Sequence, residues 1–304
     1  MKIKPLINLT LLCLIASQPT IAQEAEPAVA KVHYIFTHIN DTTQRDKYQR
    51  DEVVTYLGKT GSYYTSYSST RVQEDMQKQM NDPAFDGNLQ LSSNTTGIAQ
   101  SYLYDQKAQQ LTEVTRVGSD DFLLPEQYPT LNWAIADETK TIGGYTCQKA
   151  QVPFKGRNYT AWFTTELPFS AGPWKLHGLP GLILEASDDK NEVQFTYSGF
   201  DKMENGVYTI KTPENALVST RKEIAKLQDA FKANPQAYMQ AKRNISTTTG
   251  VSGGSGSIVI RSSGTSSGST SPKFDTSKIK SINVKKAEGY APSRVTNNPI
   301  ELTP

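Results

Sequence analysis

The stretch Ser170-Ala-Gly-Pro-Trp-Lys-Leu-His-Gly-Leu-Pro-Gly-Leu-Ile-Leu-Glu-Ala186 governs how this chain folds. Gly172-Pro173 and Gly178-Leu179-Pro180-Gly181 are two breakers that no helix interior tolerates. Pro180 before Gly181 suits the central positions of a type II turn, which needs a positive φ at its glycine. A strand then begins at once, with Leu182, Leu184 and Ala186 facing one way and Ile183 and Glu185 the other. Ser187-Asp188-Asp189-Lys190-Asn191 turns the chain back into Val193, Phe195 and Tyr197 on alternate positions. The spacing predicts a hairpin whose entry is set by Gly172, Pro173, Gly178, Pro180 and Gly181.

Working outward, the same period of two recurs upstream. Val32, Tyr34 and Phe36 alternate with His33, Ile35 and Thr37, which predicts a strand with apolar groups on both faces. Residues 53–57 and 63–67 flank Gly58-Lys59-Thr60-Gly61 as a second hairpin, after a polar loop over 41–50. Thr70 is placed to cap a short helix ending at Met80, before Asn81-Asp82-Pro83. Residues 86–96 read as loop. Further strands are expected at 98–104, 111–117, 121–124, 131–136, 144–154 and 158–165, with Lys155-Gly156-Arg157 as a tight turn. Short connections favour antiparallel neighbours, since parallel pairs need long crossovers.

Downstream, Asn205-Gly206 predicts a hairpin turn before 207–210, and 213–240 reads as a helix broken at Asn234-Pro235. Ile224, Leu227 and Phe231 share one face of it, the pattern of a helix that covers a sheet. Residues 246–272 are nearly all Ser, Gly and Thr, a composition that cannot offset the entropy of ordering it, and are expected to form a flexible loop. The expected fold class is mainly β. An antiparallel, strongly curved sheet, a half-barrel or open barrel, carries one or two covering helices.

With 32 Lys plus Arg against 30 Asp plus Glu, no global field points to nucleic acid or to a membrane surface. Residues 1–22 combine a basic start, an apolar run from Leu6 to Ala16 and Thr20-Ile21-Ala22, which predicts an export signal cleaved after Ala22. The run is shorter than a bilayer span needs, and no later stretch is apolar enough to be one. The remainder, 23–304, is expected to be a single domain interrupted at 246–272. It retains one cysteine, Cys147, so no internal disulfide is possible, and a buried small hydrophobe is the common fate of such a thiol.

Gly178 to Ile183 also spells, letter for letter, the signature of the GLPGLI family. Residues 140–150 (Lys140-Thr-Ile-Gly-Gly-Tyr-Thr-Cys-Gln-Lys-Ala150), residues 159–165 and the closing Asn298-Pro-Ile-Glu-Leu302 resemble that family too, so the likeness spans nearly all of the chain after residue 22. The resemblance implies a Bacteroidota-type envelope protein, periplasmic or associated with the outer membrane, whose tail rejoins its single domain. It implies no particular activity. In outline the expected shape is similar to periplasmic carriers of lipids and lipoproteins, an analogy of fold alone.

Chemistry-bearing patterns are sparse. No nucleophile elbow, zinc-protease helix, P-loop or dinucleotide fingerprint occurs, so no cofactor is expected. His33 and His38 are five apart on a strand and point to opposite faces, which gives no metal-ligand spacing. Asp120-Asp121 and Asp188-Asp189 flank turns, where Asp is favoured by its local hydrogen bonding. Two readings remain. In one the protein is a non-enzymatic binding or accessory module for an apolar ligand or an outer-membrane protein, with Trp174, Lys175 and His177 on a loop, Arg157 at a neighbouring turn and Trp162 on the preceding strand as contact residues. The same loop read structurally has Trp174 packing over the sheet. In the other, Cys147 assisted by His177 makes a thiol-dependent hydrolase.

Overall fold

The computed structural model describes residues 25–93, 97–204, 206–238, 240, 276–286 and 292–303. The expected export signal at 1–22, the expected flexible loop at 246–272 and Asn205 of the expected hairpin turn lie outside them. The elements are β1 (Glu26–Pro27), β2 (Ala30–His38), β3 (Gln49–Leu57), β4 (Gly61–Ser66), α1 (Ser68–Met80), β5 (Asn88–Ser93), β6 (Gln100–Asp105), β7 (Gln110–Val117), β8 (Asp120–Glu126), β9 (Ala134–Ile142), β10 (Tyr145–Phe154), β11 (Arg157–Thr164), β12 (Leu182–Asp188), β13 (Val193–Lys202), β14 (Thr209–Ile210), β15 (Leu217–Val218), α2 (Arg221–Ala233) and β16 (Ser281–Lys286).

Twelve strands form one large sheet in the order β15-β8-β7-β6-β4-β3-β2-β13-β12-β11-β10-β9. All neighbours are antiparallel except β15, which runs parallel to β8, so the protein is mainly β with a mixed sheet. Among the described residues the sheet ends at β15 on one side and β9 on the other, and these two edges do not pair with each other. Pro125 sits in β8 opposite Thr112, beyond the stretch where β15 pairs with Phe122 and Leu123, so its missing N–H costs no ladder bond among the described residues.

The central strands are buried on both faces, the reason their sequences are apolar on both alternations. Val32, Tyr34, Phe36, Val53, Tyr64, Tyr102 and Tyr104 join the larger core with Phe163, Trp174, Leu176, Leu182 and Phe195. On the opposite alternation Val54, Tyr56, Leu103, Val114 and Leu123 pack with Tyr67, Tyr208 and Ile210. Ile224 of α2 packs with Val117, Phe122 and Leu124, and Leu227 and Phe231 lie against them. This is the covering role its apolar face predicts.

Several elements differ from the sequence expectation. Residues 88–93 are strand β5, whose partner β16 lies about 190 residues on, with Asn88 opposite Ser281. A pair that remote leaves no local signature. Residues 137–139, read as a connection, belong to β9, which is exposed on both faces and carries Asp137, Glu138 and Lys140 as edge strands do. Helix α1 starts at Ser68 after Tyr67, without a side-chain cap, rather than at a Thr70 cap. Helix α2 starts only at Arg221, where Thr220 and Glu223 form a capping box. Strand β14 pairs with β1 instead of returning along β13.

The turn before β12 is also different in kind. Gly178 has φ +89°, and Gly181 is not among the positive-φ residues. The Gly181 amide donates to the Leu179 carbonyl at 2.8 Å, a three-residue turn centred on Pro180, whose ring-locked φ suits it. Glycine is needed at 181 for space. A Cβ there would stand 2.1 Å from the Thr164 carbonyl oxygen of β11.

Candidate functional site

The segment between β11 and β12 is pinned at many points. Ile183 donates its amide to the Ala171 carbonyl at 3.0 Å and Leu182 donates to Leu167 at 3.0 Å. Thr55 of β3 donates to the Gly172 carbonyl at 3.1 Å, Gln106 to Ser170 at 3.1 Å and Trp133 to His177 at 2.8 Å. Tyr34 of β2 donates to the Ile183 carbonyl at 2.6 Å. A segment held this way lies across the sheet instead of projecting from it.

Its aromatic and cationic side chains are therefore interior. Trp174, 3% exposed, packs between Phe154 and Tyr159 at ring distances of 5.5 and 5.9 Å and reaches the Tyr102 hydroxyl. Its φ of +54° is a left-handed conformation that a bulky residue holds only when its surroundings impose it. Lys175, 1% exposed, donates to the Glu126 carboxylate and to Glu301 Oε1 at 2.7 Å, and lies 5.1 Å from the Tyr102 ring. Arg221 of α2 also pairs with Glu126 and reaches Glu113 at 3.0 Å.

Arg157, 4% exposed, uses all five of its N–H donors inside the molecule. Nη1 donates to Asp188 at 2.7 Å and Glu192 at 3.3 Å. Nη2 donates to Asn298 Oδ1 and the Pro299 carbonyl, both at 2.7 Å, and Nε to the Ile300 carbonyl at 3.0 Å. Asn298 in turn donates to the Ile39 carbonyl at 2.7 Å and to Glu192 at 2.9 Å. Upstream in the tail, Ser293 and Asn297 donate to Asp41 at 2.7 and 2.9 Å. With Thr43 and Ser293 as the leading donors, these bonds hold the Asp41 carboxyl at about 2. The C-terminal segment 292–303 is thus strapped to the ends of β2 and β11 by polar contacts, and Lys175 and Arg157 are its two buried cationic anchors.

The structure brings Trp174, Lys175 and His177 together in one loop and joins Arg157 to them through the tail. None of the four forms a surface recognition face; their burial agrees with the structural reading of the loop, in which Trp174 packs over the sheet. Glu126, Asp188, Glu192, Asn298 and Glu301 were missed as partners. Their only sequence signal was the family-like closing motif 298–302, because charge pairing across such separations has no spacing rule. Trp162 stands apart, half-buried on another face, with Lys140 4.5 Å and Lys149 5.9 Å over its ring. Lys140 pairs with Glu185 at 2.6 Å and Lys149 with Glu138 at 2.7 Å.

Cys147 is fully buried on β10, its Sγ 3.6 Å from the Tyr145 carbonyl. Burial pushes its thiol up to about 11. His177 lies elsewhere, against Tyr104 and Tyr128 at 5.1 and 4.8 Å, and no contact joins it to Cys147 among the described residues. At pH 7 only about one Cys147 in ten thousand is thiolate. A neutral-pH alkylating reagent is therefore expected to leave the native protein unlabelled while labelling the urea-unfolded chain within minutes. Equal labelling of both would overturn the buried-thiol assignment.

Burial pushes His177 down to about 4, against a hydrogen bond to the Pro129 carbonyl that favours the charged ring. A histidine whose folded pKa lies below its unfolded value of about 6.5 contributes stability that is complete above that value and lost as pH falls toward the folded one. Between about pH 6.5 and 4 the wild type should lose on the order of 3 kcal/mol through this group. Urea midpoints across that range should fall less steeply for His177→Phe. Parallel profiles would show that the ring is not held neutral by the fold.

A second charged cluster surrounds His33. Its ring lies 3.5 Å from Glu52 and 3.4 Å from Asp201, and Arg71 pairs with Glu52 at 2.6 Å and Glu74 at 3.2 Å. Tyr67 donates to Glu74 and accepts from Lys31 at 3.0 Å, and Lys31 lies 3.7 Å from Asp201. Burial pushes Glu52 up, but the hydrogen bonds from His33 and Arg71 outweigh it and hold it at about 2. The circuit closes on itself and ties α1 to β2, β3 and β13. Among the described residues no group of three or more His, Cys, Asp or Glu is placed to hold a metal ion, and no helix is long and apolar enough to cross a membrane.

A family model described as a protein of unknown function, Porph_ging, matches residues 154–185, which include the whole loop and its signature, consistent with a GLPGLI-type family. No curated protein matches the chain. Among solved structures, PNGF-II in its P21 and C2 crystal forms aligns with a TM-score of 0.43 and 11% identity, over 66% of this chain. The alignment spans about a third of the PNGF-II chain, 33% and 32% in the two forms.

Proposed function

We propose that this is an exported envelope protein, periplasmic or associated with the outer membrane, that acts as a non-enzymatic binding module for an outer-membrane protein. The observation that carries the reading is the engagement of the expected site's reactive groups: Arg157 and Lys175 are paired with internal carboxylates, the Cys147 thiol is pushed up, and His177 is pushed down. His177 Nε2 is left without a hydrogen-bond partner, but it is buried against Tyr104 and Tyr128 and no contact joins it to Cys147 among the described residues, so it has no nucleophile to activate. Binding then falls to the exterior, where Trp162, partly buried with Lys140 and Lys149 over its ring, is the member of the expected contact set that reaches the surface.

We further infer that the sheet is strongly curved, as a half-barrel. Strands β6 and β11 are six places apart in the sheet, roughly 29 Å if it were flat. Trp174 nevertheless reaches Tyr102 on β6 and Tyr159 on β11 at once. Tyr64 on β4 and Phe195 on β13, three places apart, have rings 6.4 Å from each other. This supports a sheet curled around its own loop. Because Trp174, Leu176 and Leu179 fill that inner side, the packing favours a protein partner over an apolar ligand held within the curve.

The test is capture of membrane proteins from detergent-solubilised native envelopes by the mature protein. A stoichiometric outer-membrane protein is expected, with Trp162→Ala losing most of the capture when assayed at a temperature where it remains folded, and with the milder Trp162→Phe, which keeps the ring's packing against the core, retaining part of it. Co-purified lipid without a protein partner would replace this reading with a carrier, and undiminished capture by Trp162→Ala would remove that face from the site.

A further inference from the structure

The two edges of the large sheet are treated differently. At one end β15 is two residues long, β8 carries Pro125, and α2 packs beside them. These are the devices by which a sheet refuses further strands. At the other end β9 runs nine residues without proline; its register with β10 shifts between Thr139 and Ile135, the part from Thr139 to Ile142 pairs regularly, and among the described residues nothing pairs with its outer side. Its N–H and C=O groups on that side are a template for another strand.

The charges on β9 select the strand. In a symmetric antiparallel pair one residue faces itself, and every other residue faces its mirror position. Centred on Asp137, Glu138 or Lys140, the pair sets like charges directly opposite each other, which is destabilising. Centred on Thr139, Glu138 of each copy faces Lys140 of the other. Shifting the centre to Thr141 leaves Lys140 facing Ile142 and loses both ion pairs. Thr139 is therefore the one centre between Asp137 and Thr141 that matches opposite charges. Glu138 and Lys140 already belong to a row on the Trp162 face, Glu138 with Lys149 and Lys140 with Glu185. Pairing at Thr139 joins the rows of two copies into one alternating series.

We propose that β9 is a self-association edge, which pairs antiparallel with β9 of a second copy about Thr139 and continues the sheet across the dimer. Backbone hydrogen bonds supply the attraction and the two Glu–Lys contacts set the register. This dimer is independent of the partner-binding reading above, since it requires neither Trp162 nor an envelope protein.

Cysteine cross-linking of the mature full chain tests it. Opposed Cα atoms in an antiparallel pair are about 4.5–5.5 Å apart, within disulfide reach. Thr139→Cys should give a covalent dimer under mild oxidation, whereas Thr141→Cys should not, because its two copies would stand roughly 13 Å apart. Buried Cys147 does not compete. In analytical ultracentrifugation the wild type should double its mass with rising concentration. Lys140→Glu and Glu138→Lys should each stay monomeric alone and form a mixed dimer when combined, since one copy then offers two acids and the other two bases. A wild type that remains monomeric at all concentrations, equal cross-linking at 139 and 141, or no mixed dimer between the two charge variants would overturn the proposal.

Discussion

Arg157→Met is expected to destabilise the protein by about 3–5 kcal/mol, the loss that follows when one partner of a buried ionic network is removed and the other left in place. Asp188 keeps two backbone donors, the Glu192 and Val193 amides at 2.6 and 2.9 Å, and Glu192 keeps Arg45 at 2.8 Å, but both lose the charge that compensates their burial. The Asn298 side chain and the Pro299 and Ile300 carbonyls lose their donors together. At this chain length such a loss lowers the melting temperature by roughly 10 °C. It should also free the tail selectively, so that hydrogen exchange rises at 292–303 before it rises in the central strands. Arg157→Lys should behave nearly as badly, because an ammonium cannot spread five donors over a planar fork. A melting temperature within 2 °C of wild type for Arg157→Met, or unaltered exchange in the tail, would contradict the anchoring role.

Gly181→Val carries the other large effect. The added Cβ would lie 2.1 Å from the Thr164 carbonyl oxygen and 2.6 Å from its carbon, so the obstacle is backbone and has no rotamer to escape into. Relief requires moving the end of β11 away from the start of β12, where Thr164 pairs with Leu182. A cost above about 3 kcal/mol is expected, at the upper end for overpacking. Gly178 makes the contrast. Nothing lies within 4 Å of a Cβ there, but its φ is +89°, so Gly178→Ala should cost only about 1–2 kcal/mol of backbone strain. Chemical denaturation of the two variants ranks the two causes. If Gly178→Ala proves the worse, close approach is not what position 181 demands.

These two glycines illustrate how much of the site was legible. The breakers in 170–186 announced that the chain turns and enters a strand, and β12 begins at Leu182 as the alternation requires. Which glycine takes the positive φ, and why the other must lack a side chain, depends on where Thr164 of β11 passes. Likewise Trp174, Lys175, His177 and Arg157 were marked by composition as special. The burial of Lys175 rests on Glu126 and Glu301, one 49 residues before it and the other 126 after it, and that of Arg157 on Asp188 and Glu192. A cation looks free in sequence until its carboxylate is brought to it.

The sequence by itself determined the mainly β character, the alternation that builds β2, β3, β10 to β13 and the covering face of α2, because these rest on periods of two and 3.6 that neighbouring residues express locally. Only the tertiary structure decided the pairing of β5 with β16, the strapping of the tail by Arg157 and Lys175, and the interior fate of the loop. Each joins groups many residues apart, and a contact made by chain folding over such distances leaves no period, spacing or composition from which it can be read.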